Sequence, residues 1–598
     1  MEERIRTEGA AMHNNGMPDE RAAAAQSAGV QPAYTAKPAQ AFRASRLQLG
    51  AAVYSYLLGW FYFCGLVLGA PLMPFSNWHA GGMNPATLGV FCVLFFGGAE
   101  FFLRRAGRKA PAESWWWLGF AALLLANLLI LRPLLYGAGY WQDYEYGYYG
   151  WQVLALHLGA MYWLVCRAGL LIGGGRTGCF APLDAVLCLL GRPFFWFFLR
   201  IRVMWYGCRR VWEKLRAARQ HKKRDLLGAG LALCLLVPLF LLALMLLAGA
   251  DAGFASLLEN FAQLLTVPEW VAGRLLMFVG SLPVGAYLYG ALGSVLRQKP
   301  DPERQSRWLA ALDKQRCLPQ SAMTLGLVAF CVLYLLFFAV QAGYLFGAFF
   351  GHLPEGFTAA EYARRGFFEL CAVAVLNFGL LLAVTALCKG RPESNPLLRG
   401  LTAALMAANL LFVLVGASKM GLYVTRFGFT EKRILSSWFM LVLAVVSVLA
   451  LLAVFRRLDW IRLGTFAAAG LFLALCLCQH QRLAYRANLL LYQNGGVTQL
   501  DPWTLRQQSA GISEYERAND LIRAGWGVGE TPEDVMYAVK GYFGDNALHY
   551  GRNGEGDQQV WFYLSGKAEK NSGTLTMTLD KSSEMVISLE LASGQSNG

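Results

Sequence analysis

Apolar blocks of about 20 residues, the length that crosses ~30 Å of hydrocarbon, recur along most of this chain and constrain its fold more than any other feature. They lie at about 51–70, 86–103, 115–135, 151–172, 226–250, 269–296, 321–348, 366–388, 397–418, 433–455 and 460–478. A bilayer offers no water to backbone N–H and C=O groups, so such blocks must fold as helices that satisfy them internally. Composition agrees: 56% of residues are AVILMFWYC, mean hydropathy is +0.39, and 15% are charged, against roughly 25% in soluble domains. The expected fold is an all-α polytopic membrane bundle of about eleven transmembrane helices over 51–480. A disordered cytoplasmic tail, 1–50, precedes it, and a small C-terminal extracytoplasmic α+β domain, 481–598, follows it.

Loop charge orients the bundle. The connections at 104–114, 173–225, 297–320, 389–399 and 456–462 carry 28 Lys/Arg, whereas those at 71–85, 136–150, 251–268, 349–365 and 419–432 carry 5. Positive loops stay inside, which predicts a cell-membrane protein with a cytoplasmic N-terminus and an outer C-terminal domain. After residue 488 there are 8 Lys/Arg against 14 Asp/Glu, a net of −6, so the total of +15 leaves +21 on the rest. Those cations lie in short loops without a nucleic-acid-binding signature, so no nucleic-acid partner is expected. Basic and aromatic residues interleave over 192–224, including Phe194 to Phe198, Arg200, Arg202, Trp205, Arg209, Arg210 and Trp212. That pattern suits an interfacial helix on anionic lipid headgroups, although 180–200 can also form a re-entrant or extra span.

Motifs for cofactors are weak. Gly173 to Gly178 reads GGGRTG but lacks the spacing and Lys-Ser/Thr ending of a phosphate loop. Gly525, Gly527 and Gly529 follow no strand, and Cys476, Cys478 and His480 are spread around a helix by ~100° per residue. No cofactor, resident metal or catalytic residue is expected. In the tail domain, Ser513 to Glu516 is a capping box opening a helix over 514–524, and Thr531-Pro532 starts a second. Period-two runs at Val560 to Leu564, at Leu575, Met577 and Leu579, and at Met585, Ile587, Leu589 and Leu591 predict a three-strand antiparallel meander.

Charge at span depth costs ~2.5–3.5 kcal/mol, so polar residues there are candidates for function. They are Glu100, Arg132, Arg167 and Lys419, with Asn127, His157, Gln341, Asn377 and Asn409. The richest outer segment runs from His352 to Glu369; there Glu361, Arg365 and Glu369 share one helical face with alternating sign, and Thr358 caps the helix with Glu361 as its partner. The row is either a self-neutralising surface face or the lining of an outward cavity for an ion or zwitterion. A second outer segment runs from Lys419 to Arg433 through Arg426, with Gly428 ending one helix and Thr430 capping the next.

At these segments the sequence resembles the bacterial multi-pass membrane proteins of domain-of-unknown-function families 4173 and 4153. The likeness covers about 225–510 and rests on Ala250-Asp251 through Phe254-Ala255, the EYARRGFFEL stretch Glu361 to Leu370, Tyr423 to Arg433, and Arg486-Ala487-Asn488. Phe429 stands where family members more often have Leu. The resemblance implies an integral membrane protein and points to the same outer polar residues. The candidate binding set is therefore Glu361, Tyr362, Arg364, Arg365 and Glu369, with Asp251, Lys419, Arg426 and Arg433 as neighbours. The leading expectation is binding or transport of a small polar solute or ion. The alternatives are a sensor or envelope scaffold that meets a protein partner through its outer domain, and a transferase on a lipid-linked substrate using Asp251 or Glu361.

Overall fold

Side-chain caps open several helices of this chain, among them those after Ser45, Thr358, Asn395, Thr430 and Asp459. Ser45 forms a capping box with Gln48 and opens α1, Arg46–Phe61, which a π-helical turn continues to Val67. After α2, Pro85–Arg105, come α3, Ala112–Ala126, a π-turn at Asn127–Leu131, and α4, Arg132–Tyr136. Then follow α5, Tyr146–Arg167, α6, Ala181–Val186, α7, Arg192–Phe195, α8, Leu199–Ala217, and α9, Glu269–Arg297. The second half holds α10, Arg304–Lys314, α11, Gln320–Val340, α12, Ala359–Leu387, α13, Pro396–Phe427, α14, Glu431–Phe455, and α15, Trp460–Leu477. The computed structural model describes residues 42–67, 85–136, 146–217, 269–343, 347–351, 356, 358–389, 395–497, 500–509, 511–543, 550–552, 559–564, 573–579 and 585–593, with scattered positions between 232 and 247. It divides into residues 1–44 and 45–598, and every element named here belongs to the second unit.

Eight helices among the described residues are long and apolar enough to cross a membrane, nine if the bent pair Ala181–Phe195 and Leu199–Lys214 is one span. They coincide with eight of the eleven blocks expected from sequence. Of the other three, the described part of 51–70 lies in the 16-residue α1 and its π-turn, which end at Val67. The block at 151–172 is α5, whose apolarity is diluted by Gln152, His157 and several Tyr and Trp. The block at 226–250 lies mostly outside the described residues, as does Asp251. The aromatic-basic segment forms two helices that meet at a 40° bend across residues 196–198 and are together long and apolar enough for one broken span or a re-entrant loop.

Two helical groups result. In the first, α1 packs along α9, where a Cβ on Gly59 would stand 2.5 Å from the Gly285 backbone; only glycine permits that approach. In the second, α13 packs against α11, α12 and α14, and α14 packs against α15. Asn395 caps α13 with Pro396 at its first position, and Gly428, at φ 72°, ends it.

The tail domain begins within α16, His480–Gln493, whose Tyr485 enters the tail core. It continues through α17, Pro502–Gln508, α18, Glu514–Arg523, and α19, Pro532–Phe543. Strands β1, Tyr550–Arg552, β2, Gln559–Leu564, β3, Gly573–Leu579, and β4, Val586–Ser593, form a four-stranded antiparallel meander. The extra strand, β1, is too short to show alternation. On β3, Leu575, Met577 and Leu579 point inward as expected. On β4 the period breaks: Val586 pairs with Leu579 and Ser588 with Thr578, which leaves Ile587 as a bulge. The bulge reverses the phase, so Val586 and Leu589 are buried while Met585 and Ile587 are exposed.

Candidate functional site

On α12, one turn separates successive members of the charged row, and the backbone assigns them different work. Glu361 and Thr358 form the predicted capping box, with the Glu361 amide 3.2 Å from Thr358 Oγ1 and the carboxylate accepting from the Thr358 amide and hydroxyl. Arg365 Nε donates to Glu369 Oε1 at 2.9 Å. Arg364 is exposed, with Nε donating to the Ala360 carbonyl at 3.3 Å.

Opposite this row stands Lys419 of α13, only 2% exposed. Its Nζ lies 4.4 Å from the centroid of Tyr362, itself fully buried. A lysine can lie there because Gly366 faces it: a Cβ on Gly366 would stand 2.6 Å from Lys419 Cδ. One turn earlier on α13, Gly416 similarly admits Leu370, whose Cδ2 would be 2.6 Å from a Cβ. These two glycines let α12 and α13 converge beneath a cavity of about 630 Å³. Arg365, Glu369, Lys419 and Gln341 give it polar walls, and Phe337 and Phe412 close it below. The chemistry available is one guanidinium, Arg365, and one carboxylate, Glu369, beside the Lys419 ammonium held against an aromatic face.

Deeper in the same helices, and reaching α14, runs a buried polar chain. Tyr334 donates to Asn377 Oδ1 at 2.6 Å, Asn377 Nδ2 to Asn409 Oδ1 at 3.0 Å, and Asn409 Nδ2 to Ser447 Oγ at 2.9 Å. Asn377 lies eight residues beyond Glu369, about 12 Å along the helix. Another eight residues lead to Thr385, in the wall of a second cavity of about 330 Å³ that also includes Arg316, Arg399, Thr402 and Trp460. One pair of helices thus carries a cavity towards each end and a hydrogen-bonded layer between them.

Other candidates have architectural partners. Arg433 donates to the carbonyls of Phe427 and Gly428 at 2.7 and 2.6 Å and lies 4.0 Å over the Tyr423 ring, closing the α13–α14 corner. Arg426 is exposed in the last turn of α13. Arg167 makes two bonds to Glu100, at 2.8 and 2.9 Å. In the C-x-C-x-H run Cys476 is buried, and Cys478 Sγ and His480 Nδ1 each lie 3.3 Å from the Leu475 carbonyl oxygen. Gly366 and Gly416 went unread in the sequence; their signal is a small residue one turn from a charge on each helix.

Two of the motif stretches meet at the α13–α14 corner. Asn488 of α16 grips Phe429 from both sides, accepting from its amide at 2.6 Å and donating to its carbonyl at 3.0 Å. Gln508 joins both, accepting from Asn488 and donating to the Phe429 carbonyl, each at 2.8 Å. A Cβ on Gly428 would stand 2.6 Å from Asn488 Oδ1.

The model of the family described as Domain of unknown function (DUF4153) matches residues 120–513. The chain belongs to the DUF4153 family. The matched region holds both cavities, the asparagine layer and the Asn488–Gln508 clasp, and stops just before α18. The match thus leaves out α1, α2 and the start of α3 on one side and α18, α19 and the β-sheet on the other. No curated protein and no solved structure matches the chain.

Proposed function

We propose that this integral membrane protein binds a small anionic or zwitterionic solute in the α12–α13 cavity and moves it across the bilayer. The observation that carries this reading is the buried Lys419, set against Tyr362 in a cavity whose other charges are Arg365 and Glu369. Net positive lining favours a carboxylate or phosphate group, and Glu369 supplies the counter-charge a zwitterion needs. The asparagine layer and the opposite cavity lie on the same helices, as two half-pathways separated by a barrier require. In this reading there are about eleven spans, the N-terminus is cytoplasmic, and the Lys419 cavity and tail domain face outwards, following the 28 to 5 bias of loop cations. Exposed Arg202, Trp205, Arg209, Arg210 and Trp212 on α8 contact anionic lipid headgroups.

The test is solute flux into proteoliposomes across a panel of amino acids, carboxylates and phosphate esters. At least one compound is expected to enter with wild-type protein and not with Lys419→Met, while Glu361→Gln transports normally. A second reading, an envelope sensor whose tail domain signals through the bundle, draws on the clasp of Asn488 and Gln508 on the α13–α14 corner. It predicts that removing the tail abolishes the cellular phenotype while the Lys419→Met variant retains it.

A further inference from the structure

The loop after α9 and the first two turns of α10 border a cavity of about 590 Å³. Gly169, at φ 70°, follows α5 with its amide on the Cys166 carbonyl at 2.9 Å and the Leu170 amide on the Val165 carbonyl at 3.0 Å. This glycine stop brings Leu170 to the cavity wall. Arg304, Arg307, Trp308 and Ala311 stand at i, i+3, i+4 and i+7, so one face of α10 forms a second wall. Gln298, Lys299 and Asp301 line it from the loop. Lys299, Arg304 and Arg307 are three cations against the one carboxylate of Asp301, a net of +2.

Side-chain acceptors in this wall are already engaged, and donors are in excess. The Leu170 carbonyl accepts from Arg304 Nη1 at 3.0 Å and from the buried Arg192. Asp301 pairs with Arg307 and accepts from the Glu303 amide at 3.1 Å. Gln298 Oε1 accepts from Arg192 Nη1 at 2.7 Å; a guanidinium can only donate, so the Gln298 amide keeps its N–H groups for another partner. The Lys299 ammonium makes no hydrogen bond or ion pair among the described residues. Arg304 and Arg307 have five N–H groups each, of which the bonds above use a minority.

We propose that this cavity binds a phosphate group. A wall with surplus donors and a charge of +2 calls for a ligand made of acceptors and carrying matching charge. A phosphate monoester, at about −1.5 to −2 near pH 7, meets both demands, and guanidinium forks take its oxygens in pairs. Cations that serve only to orient loops need no such convergence on one cavity. In the orientation read from loop cations, 297–320 lies inside, where basic pockets at span ends take phosphate headgroups. A phospholipid headgroup and a soluble phosphate compound offer the same chemistry. No residue lines both this cavity and the one at Lys419, so the proposal stands independently of solute transport.

The experiment measures binding of radiolabelled inorganic phosphate to the full chain in phosphatidylcholine nanodiscs. The chain carries Lys419→Met, so that the other cavity contributes no anion site. Saturable binding of one phosphate per chain is expected, competed by unlabelled phosphate and not by acetate at the same concentration. Adding Lys299→Gln removes an exposed charge that holds nothing in the fold, and is expected to weaken binding about tenfold, equivalent to about 1.4 kcal/mol. Asp301→Asn keeps an oxygen for the Glu303 amide and releases Arg307; it is expected to tighten binding, a change of opposite sign that a merely structural role would not produce. Phosphatidic acid added to the discs then separates the two sources. Displacement of the label assigns the site to a lipid headgroup, and retention assigns it to a soluble phosphate compound. Absence of saturable binding, equal competition by acetate, unchanged binding in Lys299→Gln, or binding no tighter in Asp301→Asn overturns the proposal.

Discussion

At the scale of single residues, the cavity depends on a glycine as much as on its charges. Gly366→Ala brings a methyl group to 2.6 Å from Lys419 Cδ, and overpacking of this kind costs about 1–3 kcal/mol. The variant is expected to fold with a lowered melting temperature and a displaced ammonium, measurable as lost solute response without loss of charge. Outside the membrane, Asp520 is a second informative residue. Burial holds its carboxyl above the usual range, against the Tyr485 hydroxyl, which donates to Oδ2 at 3.2 Å and pulls the other way. A carboxyl raised on folding contributes stability that is full below its unfolded pKa and is lost as pH rises through the folded value. The tail domain should therefore lose stability as pH climbs out of the acid range. Asp520→Asn, which keeps the acceptor, is expected to remove that step and raise the tail transition at neutral pH in the full chain. An unchanged pH profile would contradict this.

Elements show how two distant stretches cooperate. The G-F-T corner at Gly428 to Thr430 and the R-A-N triplet at Arg486 to Asn488 are weak motifs apart, and the structure joins them because Asn488 satisfies both backbone groups of Phe429. Asn488→Leu leaves the Phe429 amide and the Gln508 side chain short of partners, a cost of about 1–3 kcal/mol. It is expected to speed hydrogen exchange in α17 while the spans stay protected; unchanged exchange would mean the clasp is not what docks the tail. Helix boundaries such as Thr358, Thr430 and Ser513 were legible in the sequence because caps are local chemistry. The partner of Lys419 was not, because Tyr362 is 57 positions away and nothing local pairs them. Nor was the β4 phase: a bulge at Ile587 depends on pairing with β3, which alternation along one strand does not record. Eight spans followed from apolar length, while the block at 151–172 forms a helix, α5, that polar residues keep below the apolarity of those eight.

For the whole molecule, topology and transport make joint demands. If loop cations set orientation, single cysteines in a cysteine-free background are expected to react with an impermeant reagent from outside at residue 429 and only after permeabilisation at residue 315; the reverse pattern would invert the reading. The two helical groups carry different cavities, one with charged walls on α12–α13 and one with apolar walls beside α9. The claim on which the rest hangs is that Lys419 anchors a ligand. Its most direct test is the thermal stability of the detergent-purified protein across a panel of carboxylates, zwitterions and phosphate esters, with wild type, Glu361→Gln and Lys419→Met side by side. A ligand at 100 times its dissociation constant stabilises by about 2.7 kcal/mol. At least one compound is expected to stabilise wild type and Glu361→Gln but leave Lys419→Met unmoved. A compound that stabilises Lys419→Met as much as wild type would contradict it.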